Sequence, residues 1–195
     1  DEHYAESLRH TEQWLGKRAY CAIGEIGIDL YWDKTYLKEQ QEVFEEQLRW
    51  SIDLDLPVAI HTREAYPEVL NCIYKVGADR LYGVFHSFTG TREELDEVEK
   101  LSRFMIGING VVTFKNAKKL IDVVREAPLE RILVETDCPY MAPEPFRGMR
   151  NDSGLLPYII KRIAQIKELT EYRVMETTRE NGYDFYRIKR PHKGN

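Results

Sequence analysis

Two histidines and two carboxylates each follow a short apolar segment of the sequence. They are Glu25 in GEIGID, His61 in HTR, His86 in HSFTG and Asp137 in ETD. Imidazole nitrogens and carboxylate oxygens together bind divalent cations such as Zn²⁺, Mn²⁺ and Mg²⁺. A carboxylate is costly to bury without a partner, and a cation facing Asp137 would supply one. The four residues therefore suggest a shared metal site.

The elements that must position these residues are short strands alternating with helices. Five apolar segments are typical of strands buried on both faces: Cys21–Ile23, Pro57–Ile60, Leu81–Phe85, Phe104–Ile108 and Ile132–Val134. Longer segments with helical periodicity lie between them, and one opens with the capping-box pattern TREE at Thr91. This alternation predicts an α/β fold with parallel strands.

The carboxyl ends of parallel strands carry function in such folds, and the four candidate residues follow four different strands. A lone buried histidine is more often a core residue, and a strand-terminal carboxylate often caps a helix or pairs with an arginine. Arg63 and Arg147 are available for such pairs. Four independent coincidences of this kind are less plausible than one shared site.

Composition limits the remaining possibilities. The 195 residues, 43% of them hydrophobic, suffice for one domain over residues 1–195. The net charge of −5 excludes a protein that coats nucleic acid through general basicity, but not an enzyme that meets phosphates locally. Three widely spaced cysteines indicate reduced thiols and a cytoplasmic protein. No apolar run approaches the roughly 18 residues of a membrane span, so no membrane association is expected.

Four segments appear in an order and spacing that resemble a known family. They are GEIGIDLYWD, PVAIHTREAY, VFHSFTG and ILVETDCPYMAPEPFRGMRND. Together they resemble the TatD family of metal-dependent deoxyribonucleases, from about Ala19 to the C-terminal NGYDFY. The resemblance implies a TIM-like (β/α) barrel and hydrolysis of phosphodiester bonds in DNA, typically from a 3′ end. It also implies divalent metal ions (Mg²⁺, Mn²⁺ or Zn²⁺), two in the complete family site.

The resemblance also implies roles for the four candidate residues. Glu25 resembles the carboxylate shared between the metals, and His61 and His86 resemble ligands of one metal. Asp137 resembles the ligand of the other metal, and in that position it would orient or deprotonate the attacking water. We take Glu25 and Asp137 as the catalytic residues.

Three basic residues are candidates for binding the DNA substrate. Arg63 lies two residues after His61 and could hold a phosphate, or it could pair with Glu64 or another carboxylate. For Arg147 a role in positioning its own loop is favoured over a contact with the DNA backbone. For Lys115, in KNAKK, a solvated helix start is favoured over a phosphate contact.

One departure from the family pattern bears on activity. Family members begin with a strand ending in a His-x-His pair, and no such pair occurs in this sequence. A barrel of eight units has about 250 residues, so we expect about five of the eight βα units in an N-terminally incomplete domain. We expect such a chain to hold at most one metal and to be weakly active or inactive. The alternatives are a related metallo-hydrolase acting on C–N or ester bonds and a catalytically impaired fragment.

Overall fold

The computed structural model describes residues 3–190, in which strands and helices alternate. The strands are β1 (Ile23–Asp29), β2 (Val58–Arg63), β3 (Gly83–Phe85), β4 (Phe104–Ile108) and β5 (Ile132–Val134). The helices are α1 (Tyr4–Glu12), α2 (Leu37–Leu54), α3 (Tyr66–Val76), α4 (Arg92–Lys100), α5 (Lys118–Glu126), α6 (Leu156–Lys167) and α7 (Glu171–Phe185). Five strands separated by helices confirm the predicted α/β class and its five βα units. None of the helices in the described residues is long and apolar enough to cross a bilayer.

The strands form one sheet in sequence order, β1-β2-β3-β4-β5. Strands β1 and β2 are parallel, with Gly27 opposite His61 and Asp29 opposite Arg63. Strands β4 and β5 are also parallel. Parallel pairing places the carboxyl ends of neighbouring strands side by side, which is the arrangement that the sequence predicts for the candidate residues.

The boundaries of β4 and β5 are those predicted, but the prediction for β1 was wrong. We expected that strand to end before Glu25, whereas β1 contains Glu25 and continues to Asp29. The physical reason is that Ile26 and Ile28 are both buried and stand opposite Ile60 and Thr62 of β2, so the ladder continues through GEIGID. Glu25 therefore lies inside a strand and not in a loop beyond it.

The chain divides into two compact units, the first ending at Val84 and the second beginning at Phe85. In the first unit, α2 and α3 pack together and bury Phe44, Leu48 and Ile73. The second unit has its own apolar core from its strands and helices, with Leu95, Ile106, Val123, Ile159 and Val174 all buried. The organisation as a single domain over residues 1–195 stays a prediction.

The N-termini of α4 and α5 are capped differently. At α4 the predicted capping box is confirmed, because Thr91 Oγ1 accepts the Glu94 N–H while Glu94 accepts the Thr91 N–H. At α5 the N-cap is Ala117, and no side chain caps this helix although Asn116 directly precedes Ala117. The Ala117 N–H donates to the Phe114 carbonyl, so a turn closes before the helix and Asn116 lies within that turn.

Candidate functional site

The first unit brings together Glu25, Asp29 and His61, which we call the His61 cluster. The His61 Nδ1 lies 3.0 Å from the Glu25 Oε1, and its Nε2 lies 3.0 Å from the Asp29 Oδ2. Both carboxylates come from β1 and the histidine from the neighbouring strand β2. Gly27 stands between the two carboxylates with a φ of 148°, and a Cβ at that position would collide with the backbone carbonyl of His61. The glycine therefore allows the two strands to approach closely enough for this cluster.

Asp29 is held by several further hydrogen bonds. Its Oδ1 accepts the Tyr31 N–H at 2.9 Å, and the Gln40 side chain bonds both its backbone N–H and its carbonyl. Burial is the largest single influence on the pKa of Asp29 and would raise it. The hydrogen bonds with Tyr31 and His61 and the electrostatic influence of His61 and Arg63 outweigh burial and lower the pKa below its ordinary value. Asp29 is therefore an ionised carboxylate with a fixed orientation beside His61.

The second unit brings together His86, Glu135 and Asp137, which we call the His86 cluster. The His86 Nδ1 lies 3.1 Å from the Glu135 Oε2, and its Nε2 lies 3.5 Å from the Asp137 Oδ1. The other Glu135 oxygen accepts the Ser87 N–H at 2.5 Å. A Cβ at Gly107 would collide with the Glu135 carboxylate, so the absence of a side chain on β4 makes room for it. One carboxylate thus fixes both the His86 ring and the backbone that follows it.

Two buried asparagines hold the segments around the His86 cluster. Asn109 donates to the Ser87 Oγ at 2.6 Å and accepts the Val111 N–H. Asn151 donates to the carbonyls of Thr136 and Tyr140, which lie on either side of Asp137. Because both asparagines are 2% exposed, these bonds are shielded from water.

The donor chemistry of both clusters fits a divalent cation. Two ligands each about 2.1 Å from one ion lie about 3.0 to 3.4 Å apart, close to the 3.0 Å between His61 and Glu25 and the 3.5 Å between His86 and Asp137. In each cluster the other ring nitrogen faces a second carboxylate, as is usual for metal-binding histidines. Within residues 3–190, however, no group of three or more His, Cys, Asp or Glu residues is arranged to hold a metal ion. Each cluster by itself is an incomplete ligand set.

The predicted substrate-binding residues occupy different surroundings. The Arg63 guanidinium lies 3.5 Å from the ring centroid of Tyr31, and it forms no ion pair with Glu64 or any other carboxylate of the described residues. The Arg147 guanidinium lies 4.3 Å from the Phe114 ring centroid, a contact that would position its loop. Lys115 is exposed in the turn before α5.

Sequence reasoning missed two residues of these clusters, Asp29 and Glu135. Each had a visible signal, because Asp29 closes the GEIGID segment and Glu135 opens ETD, both at the carboxyl end of a strand.

The prediction that the cysteines are reduced agrees with the structure, in which Cys21, Cys72 and Cys138 are free.

A parallel α/β sheet whose strands present histidine and carboxylate pairs is the framework of a metal-dependent hydrolase. The family model described as TatD related DNase matches residues 1–187, and the chain belongs to this family. The resemblance found in the sequence is thereby confirmed.

Relatives and solved structures agree with this assignment. The uncharacterized metal-dependent hydrolase YabD of Bacillus subtilis (strain 168) is 42% identical over 183 residues, covering 94% of this chain and 71% of that protein. A protein of Pectobacterium atrosepticum named 3′-5′ ssDNA/RNA exonuclease TatD is 34% identical over 181 residues, covering 90% of this chain and 69% of that protein. The crystal structure of YjjV, a TatD homologue from Escherichia coli K12, matches with a TM-score of 0.87 and 28% identity over 95% of this chain and 71% of that chain. This match confirms the predicted (β/α)-barrel fold class.

Proposed function

We propose that this protein is a metal-dependent nuclease that hydrolyses phosphodiester bonds in DNA and removes nucleotides from a 3′ end. The observation that carries the proposal is the pairing of a histidine nitrogen with a carboxylate oxygen at two places, His61 with Glu25 and His86 with Asp137. The relative from Pectobacterium atrosepticum, whose name describes a 3′-5′ exonuclease, supports the direction of cleavage.

In this proposal Glu25, His61, His86 and Asp137 hold divalent metal ions, either Mg²⁺, Mn²⁺ or Zn²⁺. A bound divalent cation would supply Lewis-acid polarisation of the phosphate and a water that ionises near neutral pH. The protein's own residues would orient the reacting groups. Asp29 and Glu135 would fix the rings of His61 and His86, and each would accept a hydrogen bond from the ring N–H that does not face the metal.

We propose that Asp137 orients the attacking water. Its carboxylate faces the His86 Nε2, and its backbone is held between two carbonyls that accept from Asn151. A carboxylate fixed in this way can accept a proton from water without first reorganising. Arg63 is proposed to contact the DNA substrate, while Lys115 and Arg147, for which a structural role is favoured, are secondary candidates for such a contact.

The test is a divalent-metal titration of nuclease activity on single-stranded DNA labelled at its 3′ end. The variants are Glu25→Gln and Asp137→Asn, which keep the shape of each side chain and remove its charge. Glu130→Gln, just before β5, is the matched control because it removes a carboxylate at the amino end of a strand. We expect metal-dependent release of the 3′ label that falls at least about 100-fold in the two site variants and not in the control.

Two results would contradict the proposal. One is metal-dependent turnover of an ester or amide substrate by a preparation that leaves DNA intact. The other is DNA cleavage that survives both site variants. The predicted single metal and weak activity of this chain are tested in the same preparation by metal analysis and by the rate of label release.

A further inference from the structure

An exposed aromatic and basic surface lies beside the His61 cluster. It consists of Tyr31, Trp32 and Arg63, which we call the aromatic ledge. Trp32 is 82% exposed, the highest value among the large apolar side chains of residues 3–190, and Tyr31 is 45% exposed. Two exposed aromatic rings beside a guanidinium form a small patch on which a planar group can stack, and such a patch next to a candidate site can mark a binding surface.

The aromatic ledge is held by hydrogen bonds at its base. The Leu30 N–H donates to the Arg63 carbonyl at 2.9 Å, and the Leu30 side chain is buried. The Tyr31 N–H donates to Asp29, and beyond Trp32 the Asp33 carboxylate accepts the Thr35 N–H at 2.8 Å. Trp32 therefore sits in a turn with defined bonds on both sides, and its exposure is a feature of that turn.

The same carboxylate joins the aromatic ledge to the His61 cluster. One Asp29 oxygen accepts the Tyr31 N–H, and the other faces the His61 Nε2 at 3.0 Å. Asp29 and Arg63 stand opposite each other where β1 and β2 end. A ligand on the aromatic ledge is thus placed next to the candidate metal ligands.

The side chains of the aromatic ledge suit a ligand that contains a planar ring and a negative charge. The Tyr31 and Trp32 rings meet edge to face, with centroids 4.7 Å apart at 89°. Arg63 stacks on Tyr31 and forms no salt bridge with a carboxylate of residues 3–190, although its charge also acts on Asp29, so the guanidinium can still pair directly with an anion. Bases of single-stranded nucleic acid stack on exposed aromatic rings while cationic side chains contact the backbone. In a duplex the base faces are covered by their neighbours.

We propose that the aromatic ledge binds the single-stranded DNA substrate, with Trp32 stacking on a base and Arg63 contacting a phosphate. This inference rests on the proposed nuclease function and adds to it the residues that select a single strand. Trp32 then acts through stacking alone and Arg63 through charge. Substitution of Trp32 should therefore change the affinity for DNA, and substitution of Arg63 should change how that affinity depends on salt.

The experiment measures binding of a fluorescein-labelled 15-mer with phosphorothioate linkages, which resist cleavage, by fluorescence anisotropy in the presence of Mn²⁺. Trp32→Ala is expected to weaken binding at least about fivefold, since stacking is worth about 1 to 3 kcal/mol per base, and Trp32→Phe to retain most of the affinity. Arg63→Ala is expected to make the negative slope of log affinity against log salt about 0.7 shallower, while Trp32→Ala leaves that slope unchanged.

The matched control is Tyr172→Ala, which removes an aromatic side chain that is 69% exposed at the start of α7. Its neighbour Arg173 pairs with Glu130, just before β5, so this end of α7 lies at the amino end of a strand. We expect the control to bind the oligonucleotide as the wild-type protein does. Circular dichroism of each variant shows whether it is folded.

Several outcomes would overturn the inference. If Trp32→Ala binds single-stranded DNA as well as the wild type, the ledge is not a base-stacking surface, although the nuclease proposal stands if cleavage is observed. A wild-type dimer that Trp32→Ala dissociates without a change in DNA affinity would make the ledge a protein contact. If the wild type binds no oligonucleotide, the ledge proposal is wrong. Metal-dependent cleavage of bis(p-nitrophenyl) phosphate, which has no base, would then show whether phosphodiester hydrolysis survives.

Discussion

The two clusters differ in how firmly the protein holds their side chains. In the His86 cluster the side chains of His86 and Glu135 are 19% and 20% exposed. In the His61 cluster those of His61 and Glu25 are 35% and 51% exposed. Glu135 also accepts a backbone N–H next to the histidine that it faces. Hydrogen bonds and charges interact more strongly where water is excluded, so losing a partner should cost more in the His86 cluster.

The largest expected effect in this comparison is the loss of Mn²⁺ affinity when Glu135 or Asp29, the carboxylate that orients the histidine of each cluster, is neutralised. Glu135→Gln should weaken Mn²⁺ binding about 100-fold, the upper part of the range for residues that orient metal ligands. Asp29→Asn should weaken it about tenfold, because the His61 ring is more exposed than the His86 ring. Isothermal titration calorimetry measures both affinities without depending on turnover.

The order of these two effects is the decisive result. Equal losses would mean that burial does not distinguish the clusters. A larger loss in Asp29→Asn would reverse the comparison. Glu130→Gln again serves as the control, since that carboxylate lies before β5 and outside both clusters.

Substitutions of Gly27 and Gly107 should show how the stability of the fold and the affinity for metal depend on different positions. In Gly27→Ala the new Cβ would meet the backbone carbonyl of His61, which cannot move without disturbing the β1–β2 ladder, and the φ of 148° disfavours a side chain. In Gly107→Ala the Cβ would meet the end of the Glu135 side chain, which can rotate away. We expect Gly27→Ala to lower the free energy of unfolding by about 2 to 3 kcal/mol.

For Gly107→Ala we expect a smaller loss of stability, about 1 kcal/mol, together with weaker Mn²⁺ binding because Glu135 no longer faces His86. Urea unfolding and calorimetry on the same preparations measure the two quantities. A Gly107→Ala variant that keeps full metal affinity would show that Glu135 does not position His86.

Much of this architecture was predictable from the sequence, because strands that are buried on both faces consist of consecutive apolar residues. The bounds of β4 and β5 follow directly from such runs, and His61 and His86 were correctly placed near strand ends. The prediction for β1 was wrong because GEIGID mixes charged residues and glycines into a strand, and only its pairing with β2 extends it to Asp29.

The partnerships inside the clusters were not predictable in the same way. Which carboxylate faces which ring nitrogen depends on strand register and on the space left by Gly27 and Gly107, and neither is encoded in local periodicity. The sequence shows that Glu135 and Asp29 carry charge at strand ends. It does not show that each faces a histidine from another strand.

The smallest effect we predict concerns the helices that follow the two histidines. Helix α4 follows the loop that carries His86 and begins with the Thr91 capping box. Helix α3, which follows His61 and β2, has Ala65 as its N-cap and therefore no side-chain cap. Thr91→Ala should therefore lower the free energy of unfolding by about 1 kcal/mol, and Thr91→Ser should restore most of it because a serine hydroxyl can accept the Glu94 N–H. If Mn²⁺ affinity stays unchanged in Thr91→Ala, the His86 cluster is held by Glu135, Asn109 and Asn151 without help from the helix. A parallel loss of affinity would instead make the cap part of what positions His86.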